Sequence, residues 1–353
     1  MKALLLAGGQ GTRLRPLTLQ TPKPIVPIFD RPFLYYQLDL LRRVPEIDEV
    51  ILSLNYQPLR IEEIFGDGRD LGIRIRYLVE PEPLGTAGAI KYAEQYLPDS
   101  VVVFNGDVLV GIDLAAVIRL HRERGARATI VLTPVENPTA YGLVETAADG
   151  RVRRFLEKPT QDEITCDTIN AGIYVLEPDT FDRIPAGQPW SIERSYFPSL
   201  VERGELFMAY VHRGYWIDIG TPAKYVQVHR DIMSGGFCAP PFVEEAGTAV
   251  VARGARVEPG ATIEGPCFVG DGAVVQDRAR VARFSVIGRG CTVEEGATVE
   301  GSIVWPDTCI GRDAEVRDVI LGRHCNVGRN VTLSPGVVLG DGSSVTDYSR
   351  VGC

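Results

Sequence analysis

Val269-Gly270-Asp271-Gly272-Ala273-Val274-Val275-Gln276-Asp277-Arg278-Ala279-Arg280-Val281-Ala282-Arg283-Phe284-Ser285-Val286-Ile287 repeats one short pattern. A branched aliphatic residue recurs every six positions, at 269, 275, 281 and 287. The residue four beyond it is small: Ala273, Ala279, Ser285. The phase extends back through Ile263, Val257 and Val251, and forward through Val293 and Val299. After a one-residue deletion it resumes at Val304, Ile310 and Val316, and after another at Leu321, Val327, Leu333, Leu339 and Val345. Such a period predicts a parallel β-helix of triangular section, one face per hexapeptide. The aliphatic residue points inward and the small residue fits near a corner. Cys267, Cys291 and Cys325 take the small position and Cys309 lies beside one, which reads as buried small hydrophobes rather than metal ligands.

Working back from the repeat, Gly235-Gly236 and Pro240-Pro241 mark a linker. The expected organisation is a first domain over 1–235, a linker over 236–248 and the β-helix over 249–353. In the first domain, strand-like runs (2–7, 49–54, 73–78, 101–105, 128–134 and 171–176) alternate with helix-like runs such as 33–43, 86–96 and 114–124. The alternation predicts an α/β, Rossmann-like, mostly parallel sheet with helices on both faces. Ligands of such sheets bind beyond the carboxyl ends of the strands. A glycine loop after residue 7 and Asn105-Gly106-Asp107 both fall there.

The chain has 353 residues, enough for two domains, and a net charge of −9 argues against nonspecific nucleic-acid binding. No apolar run is long enough to span a membrane, and residues 1–7 are too short for a secretory h-region. Seven scattered cysteines without a CxxC pair fit a reducing, cytoplasmic setting.

The loop itself reads Leu6-Ala7-Gly8-Gly9-Gln10-Gly11-Thr12-Arg13. Gly8, Gly9 and Gly11 let backbone N–H groups approach a phosphate chain, and Arg13 adds a forked cation. It lacks the third glycine of the dinucleotide fingerprint and the Gly-Lys-Ser/Thr of a Walker A loop. With Leu14-Arg15-Pro16-Leu17-Thr18 and Pro22-Lys23-Pro24, it closely resembles the signature of the sugar-phosphate nucleotidyltransferases, the NDP-sugar pyrophosphorylases. The hexapeptide half resembles left-handed β-helices, and the left-handed sense comes from that resemblance.

The resemblance implies a reaction of an NTP with a hexose 1-phosphate, giving an NDP-sugar and pyrophosphate. Leu6, Ala7, Gly8, Gly9, Gly11 and Thr12 would line the nucleotide, with Gly85-Thr86-Ala87 and Gly106. Arg13 would neutralise the leaving pyrophosphate, and Lys23 would contact phosphate oxygens near the reacting centre. Asp107 and Asp218 match the family's metal aspartates and would hold Mg²⁺. Tyr141-Gly142, Glu157-Lys158-Pro159 and Asn170-Ala171-Gly172 match sugar-side motifs, with Lys158 gripping the sugar phosphate.

Glu80 occupies the position where many members that use uracil or thymine carry glutamine. A carboxylate only accepts hydrogen bonds, which suits the adjacent N1–H and N2–H₂ donors of guanine. The stretch from Glu80 to Gly88 looks most like the mannose-1-phosphate guanylyltransferases, which implies GTP and mannose 1-phosphate. Related alternatives are glucose 1-phosphate with UTP or dTTP, and a heptose 1-phosphate with GTP. An acyltransferase would want a histidine base between coils, where only His324 stands. A regulatory homologue without activity would be expected to have lost one of Arg13, Lys23, Asp107, Lys158 or Asp218. The β-helix is expected to mediate a homo-oligomer, since stacked strands leave edges to cover.

Overall fold

A computed structural model describes residues 1–244 and 246–352. Glu245 in the expected linker and Cys353, last of the seven cysteines, lie outside the described residues. By contacts the chain divides into two units: Met1–Gly9 with Leu34–Asp218, and Gln10–Phe33 with Ile219–Cys353.

The first unit is built on a nine-stranded mixed sheet. Its parallel part runs in the order Val101–Asn105, Lys2–Leu6, Glu49–Leu54, Arg74–Val79. The central strands are almost continuously buried, as expected where both faces are covered. Thr168–Leu176 adds antiparallel to Val101–Asn105 and carries the sheet on to Gly142–Thr146 and Val152–Glu157. Ala128–Pro134 pairs antiparallel with Thr168–Leu176 and parallel with Phe207–Val211. Helices Leu34–Leu41, Gly85–Ala93 and Leu114–Arg124 fall on the helix-like runs of the sequence. Strand Thr168–Leu176 starts three residues earlier than its apolar run, because Thr168 and Asn170 enter the ladder as polar residues.

In the second unit, residues 249–351 form three six-stranded parallel sheets, each strand pairing with the one a coil later. Partners lie 18 residues apart, as in Phe268↔Val286, and 17 apart at Val286↔Ile303 and Ile303↔Ile320, where the two deletions fall. The expected aliphatic column is the core from Val269 to Leu333, where Val275, Val281, Ile287, Val293 and their equivalents are essentially inaccessible; towards the ends Val257, Ile263, Leu339 and Val345 are only partly buried and Val251 is exposed. The corner residues do more than fit. Cys291 Sγ donates to Trp305 O at 3.1 Å, Thr308 Oγ1 to Gly322 O at 2.8 Å and Cys325 Sγ to Gly340 O at 3.2 Å. Each small polar group thus satisfies a carbonyl of the next coil. Burial pushes the Cys267 and Cys291 thiols up to about 12, which keeps them protonated and inert.

Within the expected linker Phe242 packs into the unit, buried against Phe29 with ring centroids 5.3 Å apart. No helix among the described residues is long and apolar enough to cross a membrane.

His229, fully buried on helix Pro222–Met233, accepts from Phe29 N–H at its Nε2 (3.1 Å) and faces Tyr225 O through Nδ1 (2.8 Å). That arrangement requires the neutral ring. Burial, partly offset by the Tyr225 carbonyl, lowers its pKa from 6.5 to about 4. The unfolded chain therefore binds a proton that the folded chain refuses between those values. Stability is expected to be intact above pH 6.5 and to fall by about 3 kcal/mol as pH drops through 4. Urea denaturation at a series of pH values checks this, and His229→Gln should remove that component of the pH slope.

Candidate active site

The sheet brings most of the expected residues of the first unit to one edge. Leu6 and Asn105 end adjacent parallel strands in register. The chain turns so tightly after Asn105 that a Cβ on Gly106 would lie 2.6 Å from Leu6 O and 3.0 Å from Ala7 Cα. Only glycine allows that approach. Asp107 sits in the turn, and the short strand Val108–Val110 returns antiparallel to Trp216–Asp218. Val108 is the cross-strand neighbour of Asp218, so the two aspartates expected to hold metal come together although 111 residues separate them in sequence. Asp218 is buried.

The turn has a holder that sequence reading missed. Gln37 Nε2, on helix Leu34–Leu41, donates to both Asn105 O and Val108 O at 2.9 Å. Its side chain is inaccessible. The available signal was a lone amide on the buried face of an apolar helix.

The motifs expected on the sugar side converge on the same edge. A Cβ on Gly142 would meet the Phe155 ring at 2.6 Å and Glu157 Oε2 at 3.1 Å, so the Glu157 carboxylate lies against the Gly142 backbone. Lys158 N–H donates to Tyr141 O at 2.9 Å. Burial, then the nearby Glu193, raises the Glu157 pKa, while Lys158 and Arg194 pull it down. The ladder between Thr168–Leu176 and Ala128–Pro134 shifts register between Asn170 and Tyr174. In that irregular stretch Asn170 Oδ1 accepts from Gly172 N–H, and Asn170 Nδ2 donates to the buried Tyr174 hydroxyl, both at 2.9 Å. Trp216 Nε1 donates to Ala171 O at 2.9 Å, and the Trp216 ring meets Tyr141 edge to face at 5.6 Å. A Cβ on Gly172 would lie 2.9 Å from Asn105 Nδ2, which ties the Asn170–Gly172 stretch to the turn after Asn105.

At the base end, Glu80 Oε1 accepts from Ser53 Oγ at 2.7 Å and Oε2 from Leu84 N–H at 3.0 Å. The group is buried, and a Cβ on Gly8 would lie 3.3 Å from Oε1. A Cβ on Gly9 would meet nothing within 4 Å. The Gly85-Thr86-Ala87 stretch is anchored inward. Ala87 and Gly88 N–H donate to Trp190 O, and Thr86 Oγ1 accepts from Ile192 N–H and donates to Glu193. The Ala87 and Gly88 amides are thus already engaged within the fold, and Trp190 and Glu193 carry no signal in their local sequence.

Gly11, Thr12, Arg13 and Lys23 belong to the second unit. Gly11 has φ +60, with Thr18 Oγ1 donating to its carbonyl at 2.7 Å. Arg13 is exposed in the short helix Thr12–Leu14, and Lys23 is buried at the start of Lys23–Ile25.

Residues 2–235 match the family model described as nucleotidyl transferase. The chain belongs to this family. Residues 247–351 match the model for the EIF2B subunit epsilon LbH domain, a left-handed β-helix. A mannose-1-phosphate guanylyltransferase of Mycobacterium tuberculosis is 43% identical over 79% of this chain and 80% of its own. A UTP–glucose-1-phosphate uridylyltransferase of Synechocystis is 35% identical over 92% of this chain and 88% of its own. Among solved structures, HddC from Yersinia pseudotuberculosis complexed with GMP-PN superposes with a TM-score of 0.56 at 30% identity, over 65% of this chain and 99% of that one.

Replacing Gln37 with leucine leaves two buried carbonyls without their donor. The expected cost is about 1–3 kcal/mol of stability, measured by urea denaturation, with lower turnover at conditions where the variant remains folded.

Proposed function

We propose that this nucleotidyltransferase converts GTP and mannose 1-phosphate to GDP-mannose and pyrophosphate. The observation that carries the guanine choice is the buried Glu80 carboxylate beside Gly8. Each oxygen has accepted one hydrogen bond and keeps a further lone pair, so the group can accept from N1–H and N2–H₂ of guanine. It has nothing to donate to a pyrimidine O4. The guanylyltransferase relative favours the same base and sugar.

An oxygen of the sugar phosphate attacks the nucleotide α-phosphorus in line. The bond from the α-phosphorus to its bridging oxygen breaks, and pyrophosphate leaves with that oxygen. Lys158 holds the attacking phosphate, while Glu157, Asn170 and the backbone around Gly142 and Gly172 orient the sugar hydroxyls. Arg13 and Lys23 balance charge on the departing pyrophosphate and the α-phosphate; removing one such cation costs roughly 2.7–4 kcal/mol by analogy with a lost oxyanion donor. Asn105 Oδ1, two residues from Asp107, is buried without a hydrogen-bond partner among the described residues. Asp107 and Asp218, which lie at one end of the same two-stranded ladder, offer hard carboxylate oxygens of the kind that suit Mg²⁺ and would hold it. Bound there, Mg²⁺ would supply charge neutralisation at the α-phosphate. Assembly through the β-helix and residence in the cytoplasm belong to the same proposal.

A pyrophosphate-release screen crossing GTP, ATP, UTP, CTP and dTTP with several hexose 1-phosphates tests it. GTP with mannose 1-phosphate should be fastest, with activity lost on chelation of divalent metal and in Asp107→Asn. Glu80→Gln should lower the GTP-to-UTP ratio of kcat/KM by at least about tenfold, the value of one hydrogen bond to a charged group. Preference of the unaltered enzyme for UTP or dTTP would overturn the guanine assignment.

A further inference from the structure

One edge of the β-helix carries a tryptophan among the glycines that close stacking of the coils requires, as at Gly288 and Gly322, where a Cβ would strike the backbone of the next coil. Six strands form the sheet Ala249–Val251, Cys267–Val269, Val286–Ile287, Ile303–Val304, Ile320–Leu321 and Val338–Leu339. The residues that follow the last five are Gly270, Gly288, Trp305, Gly322 and Gly340. Four glycines thus flank one tryptophan in a single column, the largest side chain of the set among the smallest.

Segment 10–33, which belongs to the same unit, lies along this column. At one end, a Cβ on Gly270 would clash with Asp30 Oδ2 as well as with Arg289 N of the next coil, and Asp30 Oδ1 accepts from Arg289 N–H at 2.9 Å. At the other end, a Cβ on Gly340 would lie 3.1 Å from Pro16 Cβ. Beside it Thr21 Oγ1 donates to Asp341 Oδ2 at 2.9 Å, while Asp341 Oδ1 is fixed by Arg323 N–H at 2.8 Å. In the middle, Trp305 Nε1 donates to the Tyr225 hydroxyl at 2.9 Å, and that hydroxyl donates to Pro27 O. Trp305, Tyr225 and Thr21 are all inaccessible. Phe29 closes the set, packed on Phe242, Phe268 and His229.

These contacts follow Arg13 and bracket Lys23, the two cations of the proposed site: Pro16 and Thr21 lie between them, and Pro27 to Asp30 follow Lys23. We propose that this edge of the β-helix is a positioning element for the Arg13–Lys23 segment, with Trp305 and Asp341 as its positioning residues. The β-helix then serves turnover directly, in addition to any part in assembly. The inference rests on the roles proposed above for Arg13 and Lys23.

The test uses the full chain with Thr21→Val, which keeps shape and loses the hydroxyl, and independently Trp305→Phe, which keeps an aromatic ring and loses the N–H. Each is expected to lower kcat about tenfold while KM for the sugar phosphate stays within about twofold. Amide hydrogen exchange should quicken over residues 11–28 and stay unchanged over the β-helix strands. Thr21→Ser should restore both readouts. Unchanged kcat and unchanged exchange in both variants would overturn the inference, as would losses that merely track a smaller folded fraction. Arg13→Ala and Lys23→Ala run in parallel. Full turnover in these two would instead sink the assigned cation roles, leaving exchange to judge the brace; loss here with normal Thr21→Val and Trp305→Phe would sink the brace alone.

Discussion

Every described strand of the β-helix before the last coil pairs with the strand one coil later, so each coil must return to register after 17 or 18 residues. That closure forces equivalent positions into vertical columns. One column is the aliphatic core and another is the small corner whose hydroxyls and thiols bond the next coil. A third is the glycine column broken by Trp305. Once columns exist, a segment of chain can lie along one of them and be fixed at several points, and segment 10–33 does so. The same regularity that makes the repeat stable supplies a ruler for a non-repetitive segment.

The first unit solves a different problem. Its chemistry-bearing groups come from several separate places in the sequence, and none is held by a long-range repeat. They meet because parallel strands end together at one edge, and because glycine at 106, 142 and 172 removes the Cβ that would keep backbones apart. The polar groups that then become buried need partners. Gln37 for the turn between Asn105 and Val108, Tyr174 for Asn170, and Ser53 with Leu84 N–H for Glu80 supply them. Leaving such groups unpaired in the interior would cost about 1–3 kcal/mol each. The supporting residues are therefore as much a part of the site as those that would face substrate.

Much of this was legible in the chain. The hexapeptide phase, its two deletions and the inward column appear in the structure where the pattern put them, because a repeat is a local signal read many times. The strands and helices of the first unit follow their apolar runs. Antiparallel Thr168–Leu176 was less legible, since an apolar run has no direction. The engaged amides of the Ala87-Gly88 turn were not legible either, because their acceptor, Trp190 O, lies about a hundred residues away.

Residue order alone was enough for the family, the two architectures and the residue types available for nucleotidyl transfer. The glycine loop, the strand-end aspartates and the six-residue period are patterns of chemistry and spacing, and they are complete within short stretches of chain. The folded chain was needed to set Asp218 beside the Asp107 turn through Val108, to clamp that turn with Gln37, and to bring Trp305 to Tyr225. Those contacts join residues 68 to 110 positions apart, and contacts at such separation are fixed by the way whole elements pack, never by local pattern.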